Sequence, residues 1–241
     1  MSGARAVTTN QTDIYDKLKE VVRKYASTEY LRPIADHTRT AFAEAEKFVE
    51  EFYKGSGSEV ILDSGCGTGE STLNIALANP GIPVIGIDKS AARLTKAGAA
   101  PQNAFLVRAE LLDFWRLALE KVKAGQWHIS YHALYYPNPW PKQSEATRRF
   151  HLHPIFPTLL QLGDAIELRT NWEIYAREFA EAARVLREIP GHPRQARTGA
   201  GDDNTGTIAC EAFEPEHPIT AFERKYKEAR QQLWRVTINP V

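Results

Sequence analysis

The hydrophobic positions of this chain change period near residue 58. Before it, apolar residues recur at helical spacing: Ile14, Leu18, Val21, Val22 and Tyr25 form one stripe, and Phe42, Ala45, Phe48, Val49 and Phe52 another, with Arg32-Pro33 between them. After it, short continuous apolar runs alternate with helical stripes. Strands are predicted at about 60–64, 83–87, 104–107, 127–135 and 165–169, and helices at 70–78 and 172–186. The segment 190–206, rich in Pro, Gly and Asp, predicts a long polar loop or lid. Beyond it, 207–213 and 233–238 read as closing strands around a helix at 221–231. Strands alternating with helices predict an α/β fold, a doubly wound, mostly parallel seven-stranded sheet with right-handed crossovers. Residues 1–57 are expected to be an N-terminal helical extension and 58–241 one domain.

The first predicted strand runs into three glycines at alternate positions, Val60-Ile-Leu-Asp-Ser-Gly-Cys-Gly-Thr-Gly69. Glycines at 65, 67 and 69 permit a tight turn and close backbone approach, and the helix that follows points its first amides at the turn. A dinucleotide fingerprint needs its third glycine where Glu70 stands. Here Asp63 stands beside the turn instead. A carboxylate there repels a pyrophosphate and suits a cation, and S-adenosylmethionine carries an ammonium and a sulfonium without any phosphate. Asp88 ends the second strand, about twenty residues on, where an acid takes ribose hydroxyls. Glu110 follows the third, within reach of an adenine amino group. Each acid alone reads as a helix cap or loop residue; together they line the carboxyl edge of one parallel sheet. The expected cofactor set is Asp63, Gly65, Cys66, Gly67, Gly69, Asp88, Lys89, Glu110 and Leu111.

At the end of the fourth strand lies Tyr136-Pro-Asn-Pro-Trp-Pro-Lys142. Three prolines stiffen a loop whatever its role. Asn138-Pro-Trp140 nevertheless resembles the Asn/Asp-Pro-Pro-aromatic loop of amino-methyltransferases, in which a carbonyl and an aromatic face hold a planar nitrogen substrate. Its place beside the glycine turn makes it face the transferable methyl.

Composition narrows the partners. With 30 basic and 30 acidic residues the net charge is zero, so any nucleic-acid surface has to be local. Cys66 and Cys210 show no metal or redox spacing, which points to a reducing compartment. His128, His132, His151 and His153 lack cysteine or acidic co-ligands, so no metal is expected. No apolar run reaches membrane-spanning length, and a soluble cytoplasmic protein without membrane partners is expected.

The order Asp-x-Gly-x-Gly-x-Gly, Pro-Asn-Pro-Trp-Pro-Lys followed by Arg148-Arg149, Thr170-Asn-Trp-Glu-x-Tyr-Ala176 and Thr220-Ala-Phe-Glu223 resembles the tRNA (guanine-N7) methyltransferase family, over about residues 58–238. The resemblance implies the methyltransferase variant of the Rossmann-like fold, S-adenosylmethionine as cofactor, and methyl transfer to N7 of guanine in tRNA. It puts Asn138 where the family keeps an active-site acid, and Tyr136, Trp140, Lys142, Asn171, Thr220, Phe222 and Glu223 on the substrate side. Asn replaces the family's Asp at 138 and 171, and Gln143-Ser-Glu-Ala-Thr147 replaces a basic run. If tRNA is the partner, Lys142, Arg148, Arg149 and the helix containing Arg224 to Lys227 are expected to supply the phosphate contacts. The alternatives are a diverged member that N-methylates a small nitrogen heteroaromatic, and a catalytically silent binding subunit; the retained acids oppose the second.

Overall fold

The computed structural model describes residues 6–190 and 206–239, so all but the two ends of the predicted 190–206 loop lie outside the described residues. The strands are β1 (Glu59–Ser64), β2 (Val84–Asp88), β3 (Ala104–Arg108), β4 (His128–Tyr135), β5 (Ala165–Thr170), β6 (Ile208–Phe213) and β7 (Leu233–Ile238). The helices are α1 (Leu18–Ala26), α2 (Asp36–Tyr53), α3 (Glu70–Ala78), α4 (Ala91–Leu94), α5 (Leu111–Lys123), α6 (Phe156–Leu159), α7 (Glu173–Arg187) and α8 (Ala221–Glu228). One sheet results, in the order β3-β2-β1-β4-β5-β7-β6. The pairings from β3 across to β5 are parallel, and β7 runs antiparallel to both β5 and β6. This is the doubly wound, mostly parallel seven-stranded sheet that the sequence predicts.

β1 is apolar and buried over Val60, Ile61 and Leu62, as a strand covered by helices on both faces requires. Leu18 and Val22 of α1 and Phe42, Ala45 and Val49 of α2 join the same core cluster as Leu62, Ile85 and Ile87. Ile14, although on the predicted stripe, precedes the helix. Asp13 Oδ1 accepts from the Ile14 amide at 2.8 Å and Asp16 Oδ1 from the Lys17 amide at 3.0 Å, local bonds that compete with helix formation.

From β1 the chain winds outward to β2 and β3, then returns to the other side as β4. That reversal leaves a crevice outside the carboxyl ends of β1 and β4, where open α/β sheets bind ligands. Two bonds fix its far edge. Asp113 Oδ2 accepts from the Ala35 amide at 3.0 Å, and the Glu110 amide donates to Thr38 Oγ1 at 3.1 Å, so the start of α2 pins the turn carrying Glu110.

Gly86 of β2 pairs with Asp63 of β1. A Cβ at Gly86 would overlap the Thr72 hydroxyl and come within 2.6 Å of Leu106. The bare backbone lets α3 settle onto the sheet, which brings Thr72 Oγ1 to 2.6 Å from Asp63 Oδ2. Placing Ala in a strand ordinarily gains about 0.5–1 kcal/mol over Gly. At this site overpacking wins. Gly86→Ala is expected to destabilise the protein by about 1–3 kcal/mol, read as a lower midpoint in thermal or urea unfolding; an unchanged midpoint would mean that α3 is not seated by this contact.

Candidate active site

Two cavities open along the crevice and share a wall. The first, about 470 Å³, is lined by Ser64, Gly65, Asp88, Lys89, Arg93, Glu110, Leu111, Trp140, Arg148 and Tyr175. The second, about 690 Å³, is lined by Val7, Cys66, Gly67, Glu70, Lys96, Asn171, Thr220, Phe222 and Tyr226. Gly65, Arg93, Tyr135, Tyr136, Pro137 and Asn138 border both.

The glycine turn is shaped by backbone that side chains avoid. Gly65, Gly67 and Gly69 have φ of 78°, 62° and 81°. Nothing lies within 4 Å of a Cβ built on Gly65 or Gly67, so that face of the turn is open, whereas a Cβ on Gly69 would meet Leu106 at 2.7 Å. Gly69 serves packing, and Gly65 and Gly67 serve the cavity.

The acids differ in placement. Asp88 lines the first cavity and is held by the Gly67 and Ser90 amides at 3.0 and 2.8 Å and by Arg93 Nη2 at 3.0 Å. Glu110 and the flanking Lys89 and Leu111 line the same cavity. Asp63 is buried beneath the turn, where its Oδ2 accepts from the Ser71 and Thr72 hydroxyls, both at 2.6 Å. Burial pushes its carboxyl up to about 6, against the lowering effect of those two hydroxyls. Cys66 lines the second cavity, and burial raises its thiol.

Ser64 was not among the expected residues. It lines the first cavity, receives the Trp115 indole N–H at 2.9 Å and lies 2.8 Å from His132 Nε2. His132 is fully buried and pushed down to about 4 by that burial. The neutral ring keeps one donating and one accepting nitrogen, so the bond to Ser64 joins two uncharged groups, whichever of them gives the proton.

The loop after β4 is the strained part of the site. Tyr136 and Trp140 have φ of 51° and 45°, left-handed values that cost a non-glycine residue about 1–3 kcal/mol each. Asn138 is exposed on the shared wall; its Oδ1 lies 3.4 Å from the Trp140 amide, at the outer limit for a hydrogen bond. Trp140 carries the Arg148 guanidinium 3.8 Å above its ring. On the second cavity, the Tyr136 ring lies 5.4 Å from Tyr226, and Phe222 stacks on Tyr226 at 6.2 Å. Phe222 is 52% exposed, and Asn171 reaches Gln231 at 3.1 Å.

Thr220-Ala-Phe-Glu223 is a helix-capping motif as well as a piece of cavity wall. Thr220 Oγ1 accepts from the Glu223 amide at 3.0 Å, while the Glu223 carboxylate takes the Ile219 amide and Arg169 Nη1, both at 2.8 Å. Glu223 is fully buried and acts on the site through α8 rather than from the cavity surface. Lys142 is not brought to either cavity: it lines a separate open groove with Thr8, Thr9 and Lys17.

Of the expected phosphate-binding cations, Arg149 needs correction, while Arg148 and Arg224 are half-exposed in surface pairs. Arg149 is fully buried and paired with Glu178 at 2.6 Å. Arg148 pairs with Glu145 at 3.1 Å, and Arg224 with Glu70 at 2.7 Å. Glu178 is held down to about 2: burial alone would raise it, but the His151 hydrogen bond and the charge of Arg149 win. The four histidines have separate partners: His128 meets Asp164, His132 Ser64, His151 Glu178, and His153 the Ile155 amide. Among the described residues no group of three or more His, Cys, Asp or Glu is placed to hold a metal, and no helix is long and apolar enough to cross a membrane.

Comparison with known proteins agrees with this geometry. A family model described as "Putative methyltransferase" matches residues 57–236. A tRNA (guanine-N(7)-)-methyltransferase of Shewanella piezotolerans is 25% identical over 79% of this chain and 76% of its own length. One of Pseudomonas aeruginosa is 29% identical over 72% and 67%. For the fold alone, an antibiotic-related methyltransferase superposes with a TM-score of 0.51 at 13% identity, covering 90% of this chain and 98% of its own. A 16S rRNA methyltransferase gives 0.50 at 15%, covering 88% and 97%. With its sequence motifs gathered on one crevice and the family model matched from residue 57 to 236, the chain belongs to this methyltransferase family and is an S-adenosylmethionine-dependent enzyme, similar in sequence to tRNA (guanine-N7)-methyltransferases.

Proposed function

We propose that this methyltransferase acts on N7 of guanine in tRNA, with cofactor in the first cavity and acceptor base in the second. The shared wall carries the reading: Gly65, at the cofactor turn, and Asn138, on the proline loop, border both cavities. The open face at Gly65 and Gly67 fits close approach of a ligand. Asp88 would take the ribose hydroxyls in place of Arg93, Glu110 the adenine, and Asp63 the cationic methionine end from beneath the turn. S-adenosylmethionine, when bound, supplies an electrophilic methyl on a sulfonium.

Guanine N7 has a free lone pair and needs no deprotonation, so the chain's task is alignment. The Asn138 carbonyl can accept from an exocyclic amino group but adds no charge to stabilise the cationic purine formed. Tyr136, Phe222 and Tyr226 offer flat faces to a base, and Asn171 and Thr220 polar edges.

One observation favours a second reading, a small nitrogen heteroaromatic acceptor. Arg148, Arg149 and Arg224 are all engaged with carboxylates of the chain itself, which reduces the cations available to phosphates. Transfer of label from the cofactor to bulk tRNA or to a panel of purine-like heterocycles separates the two. Label at guanine N7 in tRNA is expected, with a salt dependence shallower than several freed counterions would give; label in the heterocycles alone would overturn the tRNA reading.

Asn138→Ala is expected to lower kcat roughly tenfold or more while leaving the cofactor's Kd nearly unchanged, since it acts on the acceptor side. Native turnover would make the loop structural only.

Asp63 provides a pH signature. Its carboxyl sits at about 6 before a cation arrives, and a bound cation favours the ionised form. Below that pH, cofactor binding must release a proton, so affinity falls as pH drops through 6, up to about tenfold per unit. Calorimetry in buffers of different ionisation enthalpy reads the proton directly, and Asp63→Asn should abolish the release. Binding with no proton release between pH 5 and 6 would remove Asp63 from the cationic end.

A further inference from the structure

The buried ion pair has no part in the chemistry above, yet it touches the strained loop. The Arg149 guanidinium donates through Nη1 to Glu178 Oε2 at 2.6 Å and through Nη2 to the Trp140 carbonyl at 2.9 Å and to Gln11 Oε1 at 2.9 Å. Glu178 Oε1 in turn accepts from Gln11 Nε2 and from the Tyr15 amide, both at 2.7 Å. Thr9 Oγ1 donates to the Pro141 carbonyl at 2.6 Å, and Val7, two residues earlier, lines the second cavity. Residues 7–15 thus run as a strap over the loop 136–142 and reach the acceptor cavity themselves.

We propose that this strap is a working part of the acceptor site, and that Arg149 is the positioning residue that couples it to Asn138 through the Trp140 carbonyl. The proposal rests on reading Asn138 as the residue facing the acceptor. A buried ion pair is poor evidence for stability, because apolar side chains of similar volume often do as well. What apolar side chains cannot do is bond a strap, a helix and a loop carbonyl at once. A planar guanidinium with a fixed fork of donors does. It reaches the carbonyl of Trp140, the loop residue held at φ 45°, two positions beyond Asn138. Gln11 closes the circuit by donating to Glu178 while accepting from Arg149, an arrangement that Ala or Leu cannot reproduce.

Gln11→Ala tests this with the ion pair in place, because Arg149 still meets Glu178 and the Trp140 carbonyl. The backbone order parameters of the amides of residues 138, 140 and 142 are expected to fall into the flexible range, below about 0.6, with those of α3 unchanged. The cofactor's Kd should stay within about twofold, and kcat with the acceptor should fall about tenfold. Arg149→Lys keeps the charge but not the fork and should show the same split more strongly. Should Arg149→Lys not fold, Gln11→Ala decides alone. Unchanged order parameters at 138–142 in Gln11→Ala would overturn the proposal, as would an equal fall in α3 with a matching loss of cofactor binding, the mark of a merely structural residue. Because order parameters are read without turnover, failure of the guanine assignment is distinguishable from failure of the strap.

Discussion

Two left-handed residues in one short loop, Tyr136 and Trp140, set the constraint that the rest of this site answers to. Neither is glycine, so each conformation costs about 1–3 kcal/mol that surrounding contacts must offset. At one end the Tyr136 amide bonds the Arg169 carbonyl at 2.8 Å, and Arg169 is tied to Glu223 of α8. At the other, the Trp140 carbonyl is held by Arg149, whose charge is matched by Glu178. The pair adds little net stability, but breaking it would strand a buried charge at a cost of about 3–5 kcal/mol, so Arg149 stays where it holds the carbonyl. The loop is therefore held from both ends, and Asn138 stands between them with few bonds of its own.

The same logic organises the cofactor side. Asp63 is costly to bury, and the Ser71 and Thr72 hydroxyls reach it only because Gly86 leaves room for α3 to sit against β2. The end of β1, the middle of β2 and the start of α3 are thus fixed relative to one another before any ligand arrives. Asp88 is the adaptable member: two backbone amides position it, while its third partner is the half-exposed Arg93, which can be exchanged for another donor.

The strands, the glycine turn and the acids at the strand ends were legible in the sequence because each is local, set by apolar runs, turn glycines and a regular spacing of strand ends. Partner choice was not legible. Arg148 and Arg149 are adjacent and chemically identical, yet one stacks on Trp140 at the cavity and the other is buried against Glu178, 29 positions away. Lys142 follows the loop in sequence but faces the strap, and Ile14 fits a helical stripe but is held in a turn by Asp13. Gly86 and Ser64 gave only weak signals, a lone glycine inside a strand and a serine before the glycine turn. The Thr-x-x-Glu spacing at 220–223 does announce a capping box, a structural reason for residues that the resemblance placed on the substrate side.

The central claim is that cofactor and acceptor occupy two cavities joined at Gly65 and Asn138. A crystal structure of the protein with S-adenosylhomocysteine and guanosine tests it most directly. The expected result is ribose hydroxyls on Asp88 with the Arg93 pair opened, the sulfur at the shared wall, and the purine among Tyr136, Phe222 and Tyr226. Adenosine in the second cavity, or an intact Asp88–Arg93 pair with ligand bound elsewhere, would contradict it.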